Sequence, residues 1–108
     1  MVIELLEPGD KVLYSYPGRF EGRFRYLLLT KKKLMLVREE GFLNKTHRVI
    51  LNLQYDKIRE YSTQKNFNFE IVDSSGGRTV FVSEVVASHI EDALRQLIGE
   101  RKLTAPVL

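Results

Sequence analysis

Phe67-Asn68-Phe69-Glu70-Ile71-Val72-Asp73-Ser74-Ser75-Gly76-Gly77-Arg78-Thr79-Val80-Phe81-Val82-Ser83-Glu84 decides the fold, because two stretches with β character flank a turn and the periodicity then changes. Phe67, Phe69 and Ile71 alternate with Asn68 and Glu70, the period of a strand with one buried face. Asp73 to Gly77 is a turn cluster, so Arg78 to Val82 returns as the second arm of a hairpin. From about Glu84, Val86, Ile90, Ala93, Leu94, Leu97 and Ile98 recur at spacings of three and four, with Glu91, Asp92, Arg95 and Gln96 opposite them. That is an amphipathic helix. Ser83, or Ser88 with Glu91, suits its start, and Gly99 with Arg101-Lys102 suits its end.

Outward from this hairpin, the rest of the chain reads as strands. Lys11 to Tyr16 is a first β-prone run that stops at Pro17-Gly18. Gly22 to Thr30 is a long second one, with Phe24, Tyr26 and Leu28 expected inside and Arg23 and Arg25 outside. Lys31-Lys32 connects it to Lys33–Glu39, whose apolar run is too brief for a core helix. Lys45 to Leu53 then sets His47, Val49, Leu51 and Leu53 on one face, against Arg48, Ile50 and Asn52. Ile58 to Gln64 is the fifth strand, and the quoted hairpin supplies the sixth and seventh. The expected fold class is mainly β: a seven-stranded antiparallel, partly open barrel capped by one C-terminal α-helix. One domain over residues 1–102 is expected, with 103–108 as a tail.

Composition narrows the function classes. At 108 residues there is room for one core, and 44% apolar against 29% charged residues makes that core a packed, globular one. There is no cysteine, which excludes disulfides, zinc–thiolate sites and cysteine nucleophiles. No stretch approaches the roughly 20 apolar residues of a membrane-spanning helix, and residues 1–7 carry no signal-like pattern. The expected location is cytoplasmic, or peripheral at a membrane. A net charge of +3 favours anionic surfaces but falls short of the dense basic character of nucleic-acid binders.

Three segments carry a family resemblance. Leu6-Glu7-Pro8-Gly9-Asp10-Lys11-Val12-Leu13, Leu29-Thr30-Lys31-Lys32-Lys33-Leu34-Met35-Leu36 and Leu53 to Ile58 resemble, in this order, motifs of the pleckstrin-homology superfamily, closest to its GRAM-like and bacterial PH-like branches. The likeness spans roughly residues 4 to 100; Lys33 stands where the family often has arginine, and the family's usual tryptophan is absent. The resemblance implies a rigid barrel whose hairpin tips bind lipid headgroups or proteins.

The sharpest pattern is basic. Lys11, Arg23 and Arg25, followed by Tyr26 and Leu27, resemble the headgroup-binding consensus of that family, in which cations at the first hairpin converge on phosphate. The resemblance also brings Arg19 and Phe20 to the same barrel end as Phe42, Leu43 and Lys45, so Lys11, Arg19, Arg23, Arg25 and Lys45 are the candidate cations and Phe20, Phe42 and Leu43 the apolar anchors. The expected partner is an anionic membrane lipid or an acidic protein surface. The alternative is a protein-interaction or self-assembly domain using sheet edges or the C-terminal helix. Catalysis, a metal and a cofactor are not expected: His47 and His89 lack partners in sequence, and Gly76-Gly77 follows serines and precedes no lysine-bearing helix. Nucleic acid is not expected either, because Phe24, Tyr26, Phe67 and Phe69 are read as core.

Overall fold

The computed structural model describes residues 6–40 and 46–99. Seven strands, β1 (Val12–Phe20), β2 (Arg23–Thr30), β3 (Lys33–Glu40), β4 (Thr46–Gln54), β5 (Ile58–Gln64), β6 (Asn68–Asp73) and β7 (Arg78–Ser83), precede a single helix, α1 (Ser88–Ile98). A short 3-10 turn, Tyr55–Lys57, joins β4 to β5. The strands form one antiparallel sheet in the order β4-β3-β2-β1-β7-β6-β5, so β4 and β5 are its two edges and it curls without closing. Bulges in the β1–β2, β3–β4 and β5–β6 ladders sharpen the twist that lets it curl. The fold class is the expected one.

β1 does not stop at Pro17-Gly18. It runs on to Phe20, and the turn is Glu21-Gly22, both at positive φ (53° and 75°), as a two-residue hairpin needs. Pro17 is tolerated because its carbonyl accepts from Glu84 N (3.0 Å), on the side away from β2; the N–H that proline lacks would point there too. Past Pro17, β1 takes on a second neighbour, pairing with β7 at Gly18↔Ser83 and Arg19↔Val82.

The inside and outside of β2 are the reverse of the expectation. Leu27 and Leu29 enter the main core with Leu34, Leu36, Phe69 and Phe81, while Phe24 is 44% exposed. Leu28 instead joins Met35 and Val37 in a second cluster on the outer face, against Leu6, Val12, Tyr26 and Val49. Three consecutive leucines make either face of β2 apolar, so alternation alone cannot orient it. On β4 a bulge opposite Leu36/Val37 changes the register, leaving Ile50, Leu51 and Leu53 against the core and His47 and Val49 on the outside.

α1 lays Ile90, Ala93 and Leu94 onto the core, and Tyr61 anchors its end by donating to the carbonyl of Gly99. Ala87 occupies the N-cap position without a side-chain cap. Ser83 Oγ accepts from Val85 N (3.1 Å) in the turn before the helix, and Val86 is exposed. At the far end of β1, Asp10 accepts from Lys11 N, Lys31 N and Thr30 Oγ1 (2.8, 3.0 and 2.8 Å), fastening the β2–β3 turn to the chain before β1. Tyr55 adds a bond from its hydroxyl to the Thr30 carbonyl.

Candidate anion-binding site

Cross-strand register determines what converges at the Glu21-Gly22 end of the sheet. Residues directly opposite each other share a face, and Tyr16↔Leu27, Gly18↔Arg25 and Phe20↔Arg23 lie on the face that holds Leu27. Arg23 and Arg25 therefore point to the concave side, where the sheet runs out past the core. On β3 and β4 the same face continues beyond Leu36 as Arg38↔Arg48 and Glu40↔Thr46. The register Tyr26↔Val37, carried on by one position, sets Arg25 beside Arg38. Gly18, Arg25, Arg38 and Arg48 thus form one lateral row across four strands, with Arg23 and Glu40 in the next.

The row has one acid. Glu40 bridges Arg38 Nη2 (2.5 Å) and Arg48 Nε (3.2 Å), relieving two like charges placed directly opposite each other. Arg25 donates from Nη1 to the carbonyl of Phe24 (2.7 Å) and meets no carboxylate among the described residues. The Nε atoms of Arg25 and Arg38 are buried with no hydrogen-bond partner among the described residues. Among the described residues, four guanidinium groups thus share this end of the face with one carboxylate, Glu40, and each presents planar N–H pairs of the kind that grip phosphate or carboxylate oxygens.

Of the candidates read from sequence, Arg23 and Arg25 come together in this way. Lys11 does not: its carbonyl accepts from Lys31 N at the opposite end of β1, about 30 Å away for nine extended residues. Arg19 lies on the outer face opposite Phe24, with Nη1 held by the Gly22 carbonyl (3.3 Å). Phe20 packs against the core and is no free tip. Phe42, Leu43 and Lys45 lie outside the described residues. Sequence reading missed Arg38, Arg48 and Glu40; the Arg-x-Glu spacing of Arg38 and Glu40 on one strand face was the available signal.

The aromatic premise against nucleic acid also changes. Phe69 is core, but Phe24 and Phe67 are 44% and 45% exposed, so that exclusion rests on the modest charge alone. Among the described residues, no three histidine or acidic side chains gather as metal ligands, and no helix is long and apolar enough to cross a membrane. No family model, curated protein or solved structure matches the chain.

Proposed function

We propose that this chain is a non-catalytic binding module of the pleckstrin-homology-like kind. Its arginine row takes the phosphate groups of an anionic membrane surface and recruits the chain there. The observation that carries the reading is the row itself: Arg25, Arg38 and Arg48 on three adjacent strands, with Arg23 beside them and only Glu40 against them. Packing like charges side by side on a sheet is unfavourable unless an anion joins them. The concave face offers an anion several fixed donors at once, and phosphate oxygens accept such bidentate bonds more strongly than neutral acceptors do. The pleckstrin-homology resemblance supports the same reading, because it expects cations at the first hairpin end.

The test is vesicle co-sedimentation at low and physiological salt, with neutral, anionic and phosphoinositide-bearing lipids. Arg25→Glu and Arg48→Glu are expected to abolish sedimentation with anionic vesicles. Arg19→Glu on the outer face and Lys11→Glu at the far end carry the same charge change and should lower it only slightly, through net charge. Equal losses from all four variants would reduce the row to a nonspecific charge effect. Failure of the wild type to bind any vesicle at low salt would end the membrane reading.

A further inference from the structure

The arginine row divides into two halves that differ in their counter-ion. Arg38 and Arg48 lie directly opposite each other, and the Glu40 carboxylate spans them with one oxygen on each: Oε1 on Arg38 Nη2 (2.5 Å) and Oε2 on Arg48 Nε (3.2 Å). Glu40 belongs to the same strand as Arg38 and stands one row nearer the end of the sheet, opposite Thr46. Arg25, one strand further on, has its Nη1 on the Phe24 carbonyl, and neither it nor the exposed Arg23 meets a carboxylate among the described residues. An anion that sets one oxygen on each of two guanidinium groups makes the contacts a bound phosphate would make. Glu40 therefore holds the place of a ligand on the Arg38–Arg48 half, while the Arg23–Arg25 half stands open.

What can take that place follows from charge. A lipid phosphodiester carries one negative charge, as the carboxylate does, so the exchange would swap one monoanion for another. Glu40 also competes from within the chain, at an effective concentration on the order of millimolar or above. A phosphomonoester carries about 1.5–2 charges at neutral pH and has three strong acceptor oxygens, so it gains both charge and contacts in the exchange. The displaced carboxylate has somewhere to go: the Glu40 side chain is 32% exposed where it stands, and that of Arg48 beside it 64%.

Resting on the membrane reading above, we infer that Glu40 is the specificity determinant of the row: it closes the Arg38–Arg48 half to phosphodiester headgroups and yields to phosphomonoester headgroups. Diesters are left to Arg23 and Arg25, whereas a monoester draws on Arg38 and Arg48 as well.

The test is co-sedimentation at physiological salt with vesicles of phosphatidylcholine that carry either phosphatidylglycerol, a diester, or phosphatidic acid, a monoester, at contents matched for surface charge. The wild type should bind the monoester vesicles on the order of tenfold more tightly. Glu40→Gln should bring that ratio close to one by strengthening binding to the diester vesicles. Arg48→Gln should also bring it close to one, by weakening binding to the monoester vesicles, and thermal melts check that both variants are folded at the assay temperature. A wild type that binds both vesicles equally, or a Glu40→Gln variant that gains the same factor on both, overturns the inference and leaves recruitment by anionic lipid standing. A wild type that binds neither vesicle overturns both.

Discussion

Replacing Gly18 by alanine tests the architecture at its tightest point. Gly18 is the residue at which β1 changes neighbours, paired with Arg25 on one side and Ser83 on the other. A Cβ there would lie 2.3 Å from the Val82 carbonyl oxygen and 2.5 and 2.8 Å from two carbons of the Phe81 ring. Ordinary contacts begin beyond 3 Å, so backbone and ring would both have to retreat by several tenths of an ångström. The carbonyl belongs to the partner strand and Phe81 is fully buried, so neither retreats without loosening the β1–β7 pairing or the core. Overpacking of this kind costs about 1–3 kcal/mol, and a weakened interstrand bond adds about 1 kcal/mol. The sum, about 3 kcal/mol, corresponds to a fall in Tm on the order of 15 °C for a domain of this size. Thermal and urea melts followed by far-UV circular dichroism measure it. Gly76→Ala is the control: its Cβ meets nothing within 4 Å, and its φ of 89° alone should cost about 1 kcal/mol. A Gly18→Ala loss no larger than that of Gly76→Ala would refute the close-approach argument.

Further outcomes follow from individual contacts. Glu40→Gln removes the carboxylate between Arg38 and Arg48; it should lower stability by about 1 kcal/mol while strengthening sedimentation with anionic vesicles, a pairing of effects that simple unfolding would not produce. Burial first and Asp10 second hold the Tyr55 phenol above its ordinary value of 10.0. Its contribution is therefore complete below about pH 10 and is lost as pH rises further; Tyr55→Phe should remove that alkaline dependence and cost about 1 kcal/mol at neutral pH through the bond to Thr30. The Ser75 hydroxyl and the Gly77 amide hold the Asp73 carboxyl below its ordinary 3.8. Stability from this turn is accordingly present above about pH 4 and declines as the solution is acidified, and an acid titration of Asp73→Ala should show a shallower loss. Asp10→Ala strips an acceptor from three donors and should cost about 1–3 kcal/mol, read by the same melts.

The sixth and seventh strands and α1 were legible because the period changes from two to 3.6 at one place, and Asp73 to Gly77 offers only turn chemistry. β2 was found but turned inside out, since Leu27-Leu28-Leu29 satisfies an apolar face either way. The end of β1 was misread because Pro17 breaks a strand only when its missing N–H is needed by a partner, and that depends on where β7 lies. The site was half legible. Arg23 and Arg25 share a face by simple alternation, but Arg48 reaches that face only through the irregular register of β4. Lys11 was grouped with Arg23 by the resemblance, and a turn at Pro17-Gly18 would have kept them close, but the turn lies four residues later, at Glu21-Gly22.

The shared position of β1 also dictates an order of assembly. β1 to β4 form a meander of hairpins, and so do β5 to β7; within each, neighbouring strands are adjacent in sequence and close short loops. Among the described residues, the strand pairs Gly18↔Ser83 and Arg19↔Val82, with the Glu84–Pro17 bond beside them, join the two meanders, and they bring together opposite ends of the chain. Their closure carries the largest loop entropy, so the seam is expected to form last and to limit the folding rate, as in other nonlocal β topologies. In amide exchange the same seam should open before either meander unfolds. Gly18 and its neighbours would then exchange through a partial opening of lower free energy than global unfolding, while Leu28 and Phe69, central in their meanders, would exchange only with the whole domain.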